Sequence, residues 1–226
     1  EDQKISNELL DYTTSNIPRL DCELYGISGN HDMSESNTID NQSPSLFNSL
    51  CRMVPGYKCI DFGYVHKEDV VVFGIPYLTY NMGLSEYIQK IKSLIPFKKA
   101  KKRILLIHTD LHGARDTDGR KIGSVQNLDI DMLSFFDGFD LIFSGHIHKP
   151  QRIKQNIIMV GAPNQQRKSD MGGKFGYWEV YPDMTTKFKR LKTPEFKYYD
   201  PTEETIDDYH YWIPVSPEKK EATNLP

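Results

Sequence analysis

The sequence contains few cysteines and no long apolar run. Its three cysteines, Cys22, Cys51 and Cys59, form no CxxC pair, which argues against a disulfide framework and a structural zinc site and is typical of a reducing compartment. No apolar stretch is long enough to cross a membrane, and no signal-peptide pattern is present. The net charge is only −3, so nucleic acid could bind only through a local basic patch. We therefore expect a cytoplasmic protein with no membrane partner.

The first residue is Glu1 and not methionine, so we expect preceding residues to have been cut off or to be carried on another chain. The 226 residues, 38% of them hydrophobic, suffice for one substantial core. After residue 192 the composition changes, with eight acidic residues, three basic residues and five of the 13 prolines. We predict a folded domain over 1–192 and an acidic, proline-rich, extended or partly disordered tail over 193–226.

Strands alternate with helices through the first two thirds of the chain, and strands dominate afterwards. Alternation and β-branched runs predict strands at 22–28, 57–63, 69–78, 103–108, 140–144, 156–163, 175–181 and 185–191. Helical spacing predicts helices at 84–95 and 129–136 and, with Ser43 as N-cap and Pro44 as first residue, at 43–53. This order favours an α/β sandwich of two mixed β-sheets flanked by helices over one doubly wound sheet.

Polar clusters directly follow three of these predicted strands. They read GNHD at 29–32, HTDLHG at 108–113 and GHIH at 145–148. Ligands gather at the carboxyl ends of strands in open α/β sheets, so three neighbouring strand ends would form one site.

Four side chains in these clusters are candidate metal ligands. Imidazole nitrogens and an amide oxygen suit manganese, iron or zinc, so Asn30, His108 and His146 can converge on one ion. His148 lies two residues after His146, a spacing that can turn the two rings toward different ions or turn one ring away.

Two residues of GNHD are candidates for proton transfer. A histidine beside a metal-bound phosphate is a natural proton donor to a leaving oxygen, and we assign that role to His31. Asp32 could hold the His31 ring in the required tautomer.

GNHD, an isolated strand-end histidine and GHIH, in this order, resemble the calcineurin-like metallophosphoesterases. The resemblance implies two mixed sheets, flanking helices and two divalent metal ions that hold a bridging hydroxide as nucleophile. It implies that Asn30, His108 and His146 bind one metal, that His148 binds the other, and that His31 is the proton donor.

Two motifs of that family do not precede GNHD in this sequence. The family has an earlier strand ending in Asp-x-His and another ending in Gly-Asp, which supply most ligands of the first metal and the bridge between the metals. We therefore expect these N-terminal strands outside the chain shown, on missing residues or on a companion polypeptide. A rearranged order that begins with Asp110-Leu111-His112 is disfavoured, because no Gly-Asp ends the next strand.

GHIHKPQ, VGAPNQQ and GGKFGYWEV further resemble the SbcD-type DNA-repair nucleases, which include phage-encoded members. This resemblance implies an exo- or endonuclease for DNA repair and recombination, with Mn²⁺ as the metal. It also implies a homodimer and an SbcC-like ATPase partner in a bacterial or phage-infected cell. Two alternatives remain open: a phosphatase or nucleotide phosphodiesterase of the same superfamily, and a scaffold that has lost its first-metal carboxylates.

Basic residues near the motifs are candidate contacts to a phosphate backbone. Between 149 and 192 there are ten basic and three acidic residues, and tracking DNA requires such a surface. His112 lies either at the mouth of the site or on an uninvolved loop. The candidate substrate-binding residues are His112, Arg115, Lys149, Arg167 and Lys168.

Overall fold

The computed structural model describes residues 12, 14–17, 21–33, 36–117, 119–121, 134–199 and 210–214. The strands are β1 (Leu24–Gly26), β2 (Tyr57–Cys59), β3 (Tyr64–Lys67), β4 (Val70–Ile75), β5 (Lys102–His108), β6 (Leu141–Gly145), β7 (Gln151–Lys154), β8 (Ile157–Met159), β9 (Gly176–Val180), β10 (Thr186–Arg190), β11 (Phe196–Tyr199) and β12 (Tyr211–Pro214). The helices are α1 (Leu46–Met53), α2 (Leu84–Ser93) and α3 (Ile95–Lys99), and short 3₁₀ turns lie at Asn30–Asp32 and Lys168–Asp170.

A six-stranded mixed sheet, in the order β3-β4-β5-β6-β8-β7, forms the centre of the described structure. Strands β4, β5, β6 and β8 run parallel to one another. At the two edges, β3 pairs antiparallel with β4 and β7 pairs antiparallel with β8. Among the described residues, β1–β2, β9–β10 and β11–β12 form separate two-stranded sheets. The predicted fold class, mixed sheets with flanking helices, is confirmed.

The core lies on one face of the six-stranded sheet. Phe73 and Ile75 of β4 and Leu105 and Ile107 of β5 are fully buried there, in one cluster with α2. The near-continuous apolar sequences of β4 and β5 are typical of parallel strands covered on both faces. The alternate residues of β5 face the other way and join a smaller cluster around Phe143.

Three predicted elements differ from the structure in their boundaries. Helix α1 is capped by Ser45, whose Oγ accepts a hydrogen bond from Asn48 N at 3.0 Å, and not by Ser43, whose hydroxyl donates to the Ser36 carbonyl instead. The predicted helix 84–95 ends at Ser93, because Leu94 is extended (ψ 146°) two residues before a proline. The predicted strand 57–63 ends at Cys59, because Phe62 turns the chain with φ +51°.

Other differences concern elements with weak sequence signals. The edge strand Gln151–Lys154 was not predicted, because its polar residues show no apolar alternation. The predicted helix 129–136 falls mostly outside the described residues, of which 134–136 form a short 3₁₀ turn. In the tail, β11 and β12 pair in parallel. No helix in the described part of the chain has both the length and the apolar composition to span a membrane.

Candidate metal centre

Three predicted metal ligands meet at the carboxyl ends of β1, β5 and β6. The register pairs His108, the last residue of β5, with Gly145, the last residue of β6, so His146 emerges beside the His108 ring. Asn30 Oδ1 lies 3.0 Å from His108 Nε2 and 3.3 Å from His146 Nδ1. The structure therefore brings an amide oxygen and two imidazole nitrogens from three distant segments to one point.

The His108 ring lies between two glycines. A Cβ added at Gly29 would lie 2.8 Å from His108 Cε1, and a Cβ added at Gly145 would lie 2.6 Å from His108 Nδ1. Any larger residue at either position would push the ring out of place. The two glycines therefore leave space for the His108 ring, in addition to allowing the backbone to turn.

His108 is kept neutral. Burial, and then the positive charge that His146 and His31 can carry, lower the pKa of His108 to about 3. A neutral imidazole keeps the lone pair that metal coordination requires, so His108 can act as a ligand at any physiological pH.

Each histidine of GHIH faces a carboxylate. Asp110 Oδ1 lies 3.5 Å from His146 Nε2, and His148 Nδ1 lies 2.8 Å from Asp170 Oδ2. In metal sites a ligating histidine usually donates its second ring N–H to such a group. His148 therefore has Nε2 left for a ligand.

Tyr77 packs against two of the predicted ligands. Its ring stacks on His146 (6.1 Å between centroids, 21° between planes) and meets His108 edge-on (6.1 Å, 81°). Its backbone N–H donates to Ser28 O at 2.9 Å, just before GNHD. Tyr77 therefore contacts all three segments that form the cluster of Asn30, His108 and His146.

Sequence reasoning missed Tyr77 and Asp170. Tyr77 lies near the end of the predicted strand 69–78, two residues after β4 ends, and its apolar neighbours in the sequence make it resemble a core residue. Asp170 lies 22 residues after His148, in a loop without a recognisable motif. A search for an acidic partner of each predicted histidine ligand is the one signal that could have suggested Asp170.

The structure places Asp32 at the GNHD turn, where it closes the backbone. Asp32 Oδ2 accepts a hydrogen bond from Gly29 N at 2.7 Å. Burial raises the pKa of Asp32, and this hydrogen bond only partly opposes the increase. His31 is exposed next to Asn30, open to a substrate, and its support by Asp32 stays a prediction.

Three of the five predicted substrate contacts lie in two groups. Gln151 joins Arg115 and Lys149, because its side chain bonds both backbone groups of Arg115 (2.9 and 2.7 Å) and the Lys149 carbonyl (3.2 Å). Arg167 Nε lies 3.6 Å from Asp170 Oδ1, beside His148.

The other two predicted substrate contacts are Lys168 and His112. The Lys168 ammonium lies 4.9 Å from the centre of the Tyr198 ring, and His112 is exposed in the loop after β5.

The donor set fits a divalent transition metal. The amide oxygen of Asn30 lies within 3.3 Å of one nitrogen of each of the two imidazoles, in a cradle that a single Cβ would fill. Within the described ranges, however, no group of three or more His, Cys, Asp or Glu side chains is placed to hold an ion.

Comparisons with known proteins show what the chain is similar to. A family model described as calcineurin-like phosphoesterase matches residues 2–150, more than half of the 226-residue chain. The DNA double-strand break repair protein Mre11 of Methanococcus maripaludis is 30% identical over 147 residues, an alignment that covers 62% of this chain. The same alignment covers 34% of that relative, so the chain spans about a third of the length of the curated protein it matches.

Proposed function

The chain belongs to the calcineurin-like phosphoesterase family, and we propose that within this family it hydrolyses phosphodiester bonds of DNA with two divalent metal ions, Mn²⁺ in the first place. The convergence of Asn30 Oδ1, His108 Nε2 and His146 Nδ1 carries the proposal. The choice of DNA over small phosphoesters is supported by the similarity to a DNA double-strand break repair protein and by Lys149 and Arg167, two basic residues near His148.

Each side chain of the cluster has a part in the proposed reaction. Asn30, His108 and His146 would hold one ion and His148 Nε2 the other. When bound, the ions would supply Lewis-acid activation of water and would neutralise charge on the phosphate. His31, exposed beside Asn30, would donate a proton to the leaving oxygen. Arg115, Lys149 and Arg167 would bind flanking phosphates and hold the strand in register.

We further propose that a companion segment, carrying an Asp-x-His and a Gly-Asp strand end, completes the site. In β5, Leu105 and Ile107 are fully buried, whereas Ile104 and Leu106 on the opposite face are only half-buried. That face is covered at β4, where Ile27 and Ile60 contact Gly74, and near β8 by Trp178. Two apolar strands of the companion segment, placed between these contacts, would cover Ile104 and Leu106. Their carboxyl ends would bring carboxylates to the metal centre.

The remaining assignments follow from the resemblance to the SbcD-type nucleases. We propose a homodimer that acts in DNA repair and recombination with an SbcC-like ATPase, in the cytoplasm of a bacterial or phage-infected cell.

The test is Mn²⁺-dependent cleavage of single- and double-stranded DNA by the full chain with its companion segment. We expect His31→Ala to lower kcat by about 10²- to 10⁴-fold without loss of bound metal. The exposed His66 on edge strand β3 supplies the control, and His66→Ala should cleave like the parent. Full activity in His31→Ala would refute the role of His31.

Two other outcomes would replace the proposal. Rapid hydrolysis of a small phosphomonoester or a cyclic nucleotide, with DNA left intact, would make the protein a phosphatase or nucleotide phosphodiesterase of the same family. Absence of bound metal in the complete assembly would make it a scaffold.

A further inference from the structure

Asp170 is a charged residue with no exposed surface. It ends the 3₁₀ turn Lys168–Asp170, and its relative exposure is 0%. A carboxylate in such a place is costly unless its lone pairs are satisfied. Here Oδ2 accepts hydrogen bonds from His148 Nδ1 (2.8 Å), Gln166 N (3.0 Å) and Arg167 N (3.2 Å). Oδ1 accepts one from Thr117 Oγ1 at 3.1 Å.

Asp170 Oδ2 acts as a hydrogen-bond acceptor in this position. The backbone N–H groups of Gln166 and Arg167 can only donate, and both bond the same Oδ2 atom that lies 2.8 Å from His148 Nδ1. His148 Nδ1 must therefore be the donor, and in the neutral ring Nε2 carries the lone pair.

We infer that Asp170 is a positioning residue of the metal centre, which holds His148 in the Nδ1–H tautomer with Nε2 presented to an ion. The inference rests on the proposed function only in making His148 a ligand; the tautomer follows from the contact itself. The same carboxylate also joins Thr117, in the loop after β5, to Arg167. Asp170 thus connects a predicted ligand with a predicted phosphate contact.

The first test observes the tautomer directly in the metal-free full chain. Long-range ¹H–¹⁵N spectra of protein labelled with ¹⁵N-histidine, recorded at a pH where His148 is neutral, distinguish Nδ1–H from Nε2–H. We expect the Nδ1–H form in the parent and a shift toward Nε2–H in Asp170→Ala. Thr117→Val is the matched control, because it removes a partner of Asp170 and leaves His148 its acceptor; it should keep the parent tautomer. The same tautomer in parent and Asp170→Ala would overturn the inference.

The second test measures metal affinity by calorimetry with Mn²⁺ and by the visible spectrum of bound Co²⁺. We expect Asp170→Ala to bind about 10- to 100-fold more weakly. His148→Ala should lose the same site, whereas Thr117→Val should stay within a few-fold of the parent. Should Asp170→Ala fail to fold, the isosteric Asp170→Asn takes its place, and we expect about tenfold weaker binding. Unchanged affinity in the folded variant would overturn the inference.

The two measurements also separate this inference from the proposed function. A parent protein with the Nδ1–H tautomer that binds no metal, even with its companion segment, would refute both the metal centre and the metal-directed role of Asp170. Metal binding that depends on Asp170 in a protein that leaves DNA intact would refute the nuclease proposal and support the inference.

Discussion

Asn30 Oδ1 lies 3.0 Å from His108 Nε2, although 78 residues separate the two side chains along the chain. The contact exists because β1 and β5 end at the same edge of the molecule, where Gly29 and Gly145 leave space for the His108 ring. Oxygen and nitrogen ligand atoms that converge on one point in this way are suited to a cation. Four predictions follow from this arrangement and its surroundings.

Gly145→Ala should weaken metal binding by at least tenfold. The new Cβ would lie 2.6 Å from His108 Nδ1, so the ring would have to move away from Asn30 Oδ1. Titration with Mn²⁺ by calorimetry measures the change. Gly63→Ala is the matched control, because a Cβ at Gly63 would have no neighbour closer than 3.6 Å and its φ is not positive. Equal affinity of the two variants would contradict the proposed cradle.

The metal-free protein should lose stability as the pH falls below 6.5. The folded-state pKa of His108 is about 3, below the ordinary value of 6.5, so the unfolded chain takes up the proton first. The contribution of His108 to the free energy of unfolding is fully present above pH 6.5 and declines as the pH falls toward 3. Between pH 6.5 and pH 5, protonation of His108 in the unfolded chain should lower the free energy of unfolding by about 1.5 to 2 kcal/mol.

Urea unfolding at both pH values tests the His108 contribution against two variants. In His108→Gln the free energy of unfolding should fall less between the two pH values, by the amount assigned to His108. His66→Gln changes an exposed residue of an edge strand and should behave like the parent. An identical decrease in all three proteins would show that other groups cause it.

Tyr77→Ala should weaken metal binding, whereas Tyr77→Phe should bind almost like the parent. The Tyr77 ring contacts His146 and His108, and removing it frees both imidazoles to rotate. We expect about a three- to tenfold lower affinity in the alanine variant, measured with Co²⁺ as a spectroscopic probe. A loss in Tyr77→Phe as large as that in Tyr77→Ala would assign the effect to the hydroxyl group.

Lys149→Ala should weaken DNA binding in a salt-dependent way. Lys149 directly follows GHIH, and loss of one phosphate contact should reduce the slope of log K against log salt by about 0.7 to 0.9. Fluorescence anisotropy at several salt concentrations measures this slope. Lys98→Ala, in α3 before the start of β5, removes an equal charge at the strand end opposite His108 and should leave the slope unchanged.

Strongly patterned segments were predictable from the sequence. The apolar runs of β4, β5 and β6 predicted buried strands, because a run of β-branched and aromatic residues is stable only where both faces of a sheet are covered. The edge strand Gln151–Lys154 was not predictable in this way, since its pairing with β8 stabilises it without an apolar pattern.

The boundaries of α1 illustrate the intermediate case. Both Ser43 and Ser45 could cap a helix, and local sequence rules favour the serine directly before Pro44. In the folded protein the Ser45 hydroxyl lies 2.6 Å from the hydroxyl of the buried Ser28 and is hydrogen-bonded to it, although the two residues are 17 positions apart. The Ser43 hydroxyl instead donates to the Ser36 carbonyl. A contact between distant residues thus decided which serine begins the helix.

The sequence by itself determined which side chains stand at strand ends, because strand, turn glycine and polar cluster are local features that adjoin one another in the chain. It thereby placed Asn30, His108, His146 and His148 as candidates. Only the tertiary structure decided what surrounds them. Asp170 and Tyr77 reach these residues across loops and strands, and no local pattern encodes a distance between residues that meet only after the sheet has formed.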